Sequence, residues 1–182
     1  MVEIGYDALN SNFLNSEYRS SIDGCYLIPS KRSNDSRGYF EKVFPFINPL
    51  SIFNFPVHQV NLSSNSLAGT LRGLHYQIDP FLESKLITCT KGSVFDVLLD
   101  LRPDSETFQK FAFFSLNPNS GSLLVPPQVA HGFQTLEDDT TLIYLHSNDY
   151  SPEHSRGINP LDSRLSIPWP LPIKVISEED RN

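Results

Sequence analysis

The stretch GTLRGLHYQ, residues 69–77, combines two residues that could do chemistry with a pattern typical of a β-strand. Arg72 supplies a guanidinium and His75 supplies an imidazole. An imidazole can remove or deliver a proton near neutral pH, and a guanidinium can bind a phosphate through two parallel hydrogen bonds. The stretch therefore raises the question of whether the two side chains share one site.

The position of Gly73 decides whether Arg72 and His75 can meet. In a regular strand they would lie on opposite faces, because successive side chains alternate. A glycine inside a strand often marks a bulge that shifts the register, and Gly73 lies between them. Without a bulge, Arg72 lies in water and His75 is an ordinary histidine of a β-barrel. The spacing alone leaves both arrangements open.

The strand predicted at residues 94–101 has two distinct faces. One is an apolar stripe, predicted to be the core face: Phe95, Val97, Leu99 and Leu101. The other mixes carboxylates with apolar residues, which fits either a lined cavity or a solvated outer face: Val94, Asp96, Leu98 and Asp100.

Two later segments carry further polar candidates. His131 follows VPPQVA, whose two prolines force an extended approach, as in a loop at a barrel mouth or a surface turn. Tyr144 alternates with Ile143 and Leu145, so it is predicted to point inward. A buried tyrosine is either a packing residue with one hydrogen bond or an acid.

The elements that position these residues are predicted to be almost entirely strands. Fourteen prolines and nine glycines divide the chain into short runs rich in β-branched and aromatic residues. Two hairpins are predicted, KLITCT-KG-SVFDVLLDL with Lys91-Gly92 as its turn and GFQTL-EDD-TTLIYLH. No long segment has a helical period, so the pattern predicts an all-β barrel or jelly roll.

Length and composition exclude several classes of protein. A chain of 182 residues suits one domain, and we expect a polar arm at residues 1–23 followed by a single domain at 24–182. The net charge of −7, with no basic stripe, argues against nucleic acid as a partner. The two cysteines are far apart and form no C-x-x-C pair, which argues against a zinc ribbon and a redox motif. No signal peptide or membrane helix is predicted, so we expect a cytoplasmic protein.

Taken together, eight segments resemble one family, in its order and spacing. The chain resembles the dTDP-4-dehydrorhamnose 3,5-epimerase family, the metal-free sugar-nucleotide epimerases of the cupin superfamily. The matching segments, which cover nearly everything from Cys25 onward, are DSRGYF (35–40), GTLRGLHYQ (69–77), KLITCTKGSVFDVLLDLR (85–102), SETF (105–108), LLVPPQVAHGF (123–133), LIY (142–144), YSPEHSRGI (150–158) and IPWP (167–170).

The resemblance implies an all-β double-stranded β-helix, or cupin jelly roll, to which the sequence adds a short C-terminal helical segment. It also implies a homodimer that needs neither a redox cofactor nor a metal. The implied reaction is epimerisation at the carbons that flank the C4 ketone of a nucleotide-diphosphate-linked 4-keto-6-deoxy sugar. A ketone acidifies the hydrogens on both neighbouring carbons, so the protein must supply a base, a stabiliser for the enolate and an acid.

The roles of individual residues also come from the resemblance. His75 matches the base and Asp180 its orienting carboxylate, Tyr144 matches the acid, and Lys85 matches a cation near the C4 oxygen. Arg72 matches a second cation, near the diphosphate. The remaining matches are to substrate-binding residues: Arg37, Tyr39, Gln59, Asn61, Asp96 and His131.

The chain departs from the family pattern at several positions. Glu179 replaces a lysine, and Asp180 lies two residues from the end of the sequence, where a carboxylate could fray. Asp149, Ser155 and Thr88 also differ from the common residues. These changes leave open which nucleotide and sugar are bound, and whether one or two centres are inverted.

Two rival functions fit parts of the sequence, and a 3,4-ketoisomerase of related fold, which would move the carbonyl, is a third possibility. A metal-dependent cupin enzyme could use His75, Glu83 and His131 as two histidines and a carboxylate. Glu83 is out of register for that set, and Lys85 would repel a cation. A cupin shell that binds a sugar nucleotide without catalysis is the second rival, motivated by the changes at Asp149, Ser155 and Asp180.

Overall fold

The computed structural model describes residues 20–43 and 56–182, in which the regular structure is nearly all β. Two five-stranded sheets contain most of it, and every strand pair in them is antiparallel. The first sheet has the order β1 (Tyr26–Ile28), β9 (Ser122–Val125), β6 (Lys85–Lys91), β11 (Thr140–His146) and β4 (Gln59–Asn65). The second has the order β12 (Ser155–Gly157), β5 (Leu71–Gln77), β10 (Val129–Thr135), β7 (Val94–Asp100) and β8 (Phe111–Leu116).

Successive strands cross from one sheet to the other. From β4 to β7 they alternate between the sheets, β7 and β8 pair directly, and alternation resumes from β9 to β12. This is the connectivity of a double-stranded β-helix, so the predicted jelly roll is confirmed. Both predicted hairpins are wrong, because β6 pairs with β9 and β11, and β10 pairs with β5 and β7. The turn at Lys91-Gly92 is a corner between the sheets, which lets each sheet bury its inner face against the other.

The interior of the jelly roll is built from both sheets. Its fully buried side chains include Ile87, Cys89 and Leu142 from the first sheet, together with Leu98 and Phe133 from the second. Burying a side chain of this size stabilises the fold by about 1.5–3 kcal/mol. A smaller apolar cluster covers the outside of each sheet.

The two faces of β7 are both buried, which corrects the prediction for residues 94–101. The face with Asp96 and Asp100 looks into the interior, and both carboxylates are fully buried, so the solvated outer face is wrong. The stripe predicted as the core face packs instead on the outside of the second sheet, beneath Ile167 and Trp169. The pattern misleads because the C-terminal chain covers that outer face and makes it apolar too.

The bulge at Gly73, which the spacing alone left open, is present. His131 of β10 pairs with His75, and Phe133 pairs with Arg72, so β5 holds one extra residue between the two pairs. Gly73 has φ of +102°, and a Cβ there would lie 2.6 Å from the Cα of Gly132. The close approach of the two strands therefore requires glycine at this position.

The C-terminal segment returns to the second sheet and ends in the short helix α1 (Glu178–Arg181). The backbone N–H of Leu71 donates to the carbonyl of Val175 at 2.8 Å, which ties this segment to the start of β5. Ser177 caps α1 by accepting the N–H of Asp180 at 3.0 Å. The predicted C-terminal helical segment is confirmed, and its last residues are held by Asn159, whose amide donates to the carbonyl of Arg181 at 2.7 Å.

Near the N-terminus of the described residues, a separate hairpin is formed by β2 (Arg32–Asp35) and β3 (Gly38–Glu41). Ile22 is fully buried in the interior cluster, while residues 1–19 of the expected arm lie outside the described residues. None of the helices in the described ranges is long and apolar enough to cross a membrane.

Candidate active site

A cavity of about 290 Å³ opens at one end of the jelly roll, between the two sheets. Strands β4, β5, β6, β10 and β11 each contribute side chains to it. It brings together six residues that the sequence predicted for the site: Asn61, Arg72, His75, Lys85, His131 and Tyr144. Because the resemblance predicts a sugar as its ligand, we call this the sugar cavity.

His75 and Asp180 form a hydrogen-bonded pair at the wall of the sugar cavity. Nε2 of His75 lies 2.6 Å from Oδ1 of Asp180, and the other carboxylate oxygen accepts the backbone N–H of Gly73 at 3.3 Å. An ionised carboxylate only accepts, so Nε2 carries a hydrogen and Nδ1 of the neutral ring is left basic. Asp180 is buried whereas 49% of the His75 side chain is exposed, which suits a base that must meet a substrate. Asp180 is therefore held against β5, and the fraying considered for this end of the sequence is not seen.

Lys85 is a buried ammonium between the two sheets. Nζ donates to the backbone carbonyl of His75 at 3.1 Å and lies 3.4 Å from Oε1 of Glu83. Burial lowers the pKa of Lys85, because a charged amine loses its hydration, and the Glu83 carboxylate opposes that shift.

Tyr144 points inward, as predicted, and packs against the interior cluster. Its ring lies edge-on to the ring of His131, with 6.0 Å between the centroids. Burial raises the pKa of the Tyr144 phenol well above its usual range, and the negative charge of Asp96 adds to this effect. The phenol is therefore protonated at neutral pH and available as a proton donor.

His131 and Asp96 form a second imidazole–carboxylate pair at the floor of the sugar cavity. Nε2 of His131 lies 2.7 Å from Oδ2 of Asp96, and both side chains are buried. Oδ1 of Asp96 is buried without a hydrogen-bond partner. This second pair therefore places a carboxylate charge beneath the pocket, where it acts on the neighbouring Tyr144 and Lys85.

The predicted binding residues on β4 and β5 form the rim. Nε of Arg72 donates to Oδ1 of Asn65 at 2.8 Å, which holds the guanidinium at the cavity. Nε2 of Gln59 donates to Oδ1 of Asn61 at 2.8 Å, so Gln59 supports a residue that lines the cavity. Arg72 and His75 thus reach one site, and the arrangement with Arg72 turned away from it is wrong.

Arg37 and Tyr39 do not line the sugar cavity of their own chain. Both lie on the β2–β3 hairpin, where the exposed guanidinium of Arg37 pairs with Asp35 at 2.6 Å and the Tyr39 ring lies beneath Arg32. Their contact with a nucleotide stays a prediction.

The set of residues that a metal-dependent cupin would need does not converge. His75 faces Asp180, His131 faces Asp96, and Glu83 is occupied by His146 and Lys85. Within residues 20–43 and 56–182, no group of three histidine, cysteine or acidic side chains is placed to hold a metal ion. The arrangement of His75, Glu83 and His131 as a ligand set is therefore wrong.

The sequence reasoning missed His146 and Tyr150. His146 lies two residues after Tyr144 on the same face of β11, so strand alternation could have placed it at the cavity. It also lines a second cavity of about 360 Å³, separated from the first by His75, Lys85 and His146. The exposed ring of Tyr150 lines that second cavity. Tyr150 lies in the connection after β11, where strand periodicity carries no information.

The fold and the site define a class of protein, an acid–base enzyme built in a jelly roll. A sequence model of the dTDP-4-dehydrorhamnose 3,5-epimerase family matches residues 19–182. The protein named dTDP-4-dehydrorhamnose 3,5-epimerase from Shigella flexneri is 41% identical over 170 residues, which cover 90% of this chain and 92% of that protein.

Solved structures agree with the sequence match. The chain superimposes with a TM-score of 0.81 on dTDP-4-dehydrorhamnose 3,5-epimerase from Bacillus anthracis with TDP and PPi bound, at 34% identity, covering 90% of this chain and 97% of the other. It also matches ChmJ, a 3′-monoepimerase from Streptomyces bikiniensis in complex with dTDP-quinovose, with a TM-score of 0.81 and 32% identity over 88% of this chain and 82% of the other. The chain belongs to the dTDP-4-dehydrorhamnose 3,5-epimerase family, and it is an isomerase.

The substitution Asp180→Asn tests the role of the pair with His75. Because the Gly73 N–H needs an acceptor, the asparagine oxygen will face it and the amide nitrogen will face Nε2 of His75. That nitrogen only donates, so the imidazole proton moves to Nδ1 and the base is lost. We expect kcat to fall on the order of 10²-fold or more, with little change in thermal unfolding.

The matched control is Asp162→Asn, which removes a carboxylate that pairs with Arg164 at the surface. Epimerisation and melting temperature are measured for both variants. A kcat for Asp180→Asn within twofold of the control would show that Asp180 is only a structural tether for the C-terminus.

Proposed function

We propose that the protein inverts one or both of the carbons that flank the C4 ketone of a nucleotide-linked 4-keto-6-deoxy hexose. The observation that carries the proposal is the convergence of His75, Lys85 and Tyr144 on one cavity, with Asp180 hydrogen-bonded to His75. The ketone makes the neighbouring C–H bonds acidic, so a base, an enolate stabiliser and an acid are sufficient for the chemistry. Each step is assigned to a side chain of this protein.

In the first step, Nδ1 of His75 removes the proton from C3 or C5. The electrons of the broken C–H bond form a carbon–carbon double bond, and the carbonyl electrons move onto the C4 oxygen to give an enolate. The Lys85 ammonium stabilises that oxygen, because a buried charge acts strongly where water is excluded. Asp180 stabilises the imidazolium that forms on His75.

In the second step, the Tyr144 phenol protonates the same carbon from the opposite face of the ring. The enolate electrons return to the carbon, the ketone re-forms, and the configuration is inverted. The high pKa of Tyr144 keeps the phenol protonated before this step. Solvent then restores a proton to the phenolate and accepts one from His75, so the enzyme returns to its starting state.

The rest of the substrate is proposed to be a nucleoside diphosphate. Arg72 at the rim of the sugar cavity is placed for the diphosphate, and Gln59 and Asn61 form the adjoining polar wall. The related structures with TDP and with dTDP-quinovose support a nucleotide sugar as the substrate class. His131 and Asp96 shape the floor on which the sugar ring rests.

We further propose that the protein is a homodimer in which each β2–β3 hairpin reaches the partner's site. Tyr39 and Phe40 leave more than half of their surface exposed in one chain, and Val60 and Leu62 do the same on β4. Such aromatic and aliphatic exposure is typical of an interface. It would also bring Arg37 and Tyr39 to a nucleotide.

We also propose that the protein works in the cytoplasm, because the buried thiols of Cys25 and Cys89 are not joined in a disulfide.

Solvent exchange tests the function directly. A panel of 4-keto-6-deoxy sugar nucleotides in heavy water should exchange the C3 hydrogen, the C5 hydrogen or both for deuterium, followed by NMR. We expect His75→Ala to reduce exchange by about 10²–10⁴-fold while the control His58→Ala, outside the sugar cavity, leaves it unchanged. Exchange retained in His75→Ala would exclude His75 as the base, and no exchange by the wild type across the panel would contradict the function.

Tyr144→Phe separates proton loss from inversion. His75 and Lys85 remain in this variant, so the enolate still forms and deuterium should still enter the substrate. Without the phenol, the enolate is reprotonated from its original face, and we expect inversion to fall far more than exchange. The ratio of inversion to exchange is measured by NMR, and an unchanged ratio would make Tyr144 a packing residue.

The dimer proposal predicts a particle of twice the 20.6 kDa chain mass by light scattering.

Arg37→Ala should raise KM about tenfold or more, because a hydrogen bond to a charged phosphate group is lost. The control Arg164→Ala removes an exposed guanidinium that pairs with Asp162. A monomeric active enzyme, or an unchanged KM for Arg37→Ala, would contradict this part of the proposal.

A further inference from the structure

Glu83 and His146 lie beside the sugar cavity but have no part in the proton transfers described above. Glu83 is buried and precedes β6, two residues before Lys85. Its carboxylate oxygens have different partners. Oε1 lies 3.4 Å from the Lys85 ammonium, and Oε2 lies 2.7 Å from Nδ1 of His146. The carboxylate therefore joins the start of β6 to the end of β11.

A chain of hydrogen bonds fixes the proton of His146. The backbone N–H of Tyr150 donates to Oε1 of Gln59 at 3.2 Å, and Nε2 of Gln59 donates to Oδ1 of Asn61. The amide nitrogen of Asn61 therefore faces Nε2 of His146, at 3.3 Å, and it can only donate. The proton of the neutral imidazole must then lie on Nδ1, where it is donated to Glu83.

We propose that Glu83 is a positioning residue that keeps Lys85 in its charged form, and that His146 holds the Glu83 carboxylate in place against the ammonium. The inference rests on the proposed role of Lys85 at the enolate oxygen, which requires a charged amine. It deepens that role by naming the groups that maintain the charge. Tyr150, Gln59 and Asn61 extend the support to the rim of the cavity.

The physical reason is the cost of burying an isolated ammonium. Lys85 is 7% exposed, so it has lost nearly all of its hydration, and this burial favours the neutral amine. A carboxylate at 3.4 Å favours the charged form. Burial alone would raise the pKa of Glu83, but the hydrogen bond from His146 and the charge of Lys85 outweigh it and lower that pKa. Glu83 is therefore anionic at neutral pH.

Other ionisable groups face Lys85 from the strands packed around it. Asp96 on β7 also favours the charged amine, but less strongly than Glu83. Among the described residues, Glu83 is the carboxylate in ion-pair contact with Nζ. The remaining titratable side chains that line the same cavity are not carboxylates: Arg72 and His75 on β5, His131 on β10, and Tyr144 and His146 on β11.

The test is the titration of the Lys85 amine itself, followed by ¹⁵N NMR on the full-length protein, with Lys85→Arg used to assign the signal. We expect Glu83→Gln to lower the midpoint by about 1–3 pH units, since a neighbouring opposite charge has been removed. Glu153→Gln removes an exposed carboxylate and should leave it unchanged. A midpoint in Glu83→Gln equal to that of the wild type would overturn the inference.

His146→Leu provides a second route if Glu83→Gln does not fold. It removes the donor that holds Oε2, so the carboxylate is free to turn away from Lys85. We expect the Lys85 midpoint to fall in the same direction by a smaller amount. An unchanged midpoint in His146→Leu would overturn the proposed role of His146.

Catalysis gives an independent readout. The rate falls as the pH rises through the pKa of Lys85, so Glu83→Gln should move the alkaline limb of the kcat profile to lower pH. In a Lys85→Arg background the same substitution should cause no such shift, because a guanidinium keeps its proton. A shift of equal size in that background would contradict the inference. A wild-type protein that inverts no sugar would contradict the proposed function instead, while the NMR titration would still decide this inference.

Discussion

The hydrogen bond between Asp180 and His75 is the interaction on which the rest of the site depends. It joins the short helix α1 to strand β5 of the second sheet, across 105 positions of sequence. The same carboxylate accepts the N–H of Gly73, so it fixes both the imidazole and the bulge that brings Arg72 to the cavity. One buried carboxylate thus holds the proposed base in the tautomer that the mechanism needs and ties the C-terminal segment to β5.

The sugar cavity also shows how basic side chains are held in place in a protein whose net charge is −7. Three of the basic groups have a carboxylate partner of their own: His75 has Asp180, His131 has Asp96, and Lys85 has Glu83. Because these partners are buried, their interactions are screened little by salt and cost little reorganisation during the reaction. Two cationic side chains, Arg72 and Lys85, thus line the cavity of a protein that is acidic as a whole.

Much of the fold and the site could be predicted from the sequence, and the failures have physical causes. The inward position of Tyr144 follows from strand alternation, and the many short strands indicate an all-β barrel or jelly roll, between which the family resemblance decides. The spacing around Gly73 allows a bulge but does not require one. Turn residues show where strands end but not which strands pair, so the sequence predicts a hairpin at Lys91-Gly92 where the structure has a corner between the sheets. The faces of β7 were misassigned because the C-terminal chain covers the outside of its sheet.

The interactions that could not be predicted join residues far apart in the chain. Nothing near Glu83 in the sequence indicates that His146, 63 positions later, will hold its carboxylate. The docking of Asp180 likewise depends on the path of the whole C-terminal segment. Only the resemblance to a known family pointed to Asp180, and only the three-dimensional structure shows its contact with His75.

The most direct test of the central claim is the tautomer of His75, read from the ¹⁵N chemical shifts of its ring in the free enzyme above the pH at which the imidazolium titrates. We expect the hydrogen on Nε2, facing Asp180, and an unprotonated Nδ1. A ring with its hydrogen on Nδ1 would contradict the account, because the nitrogen assigned as the base would then have no lone pair to offer.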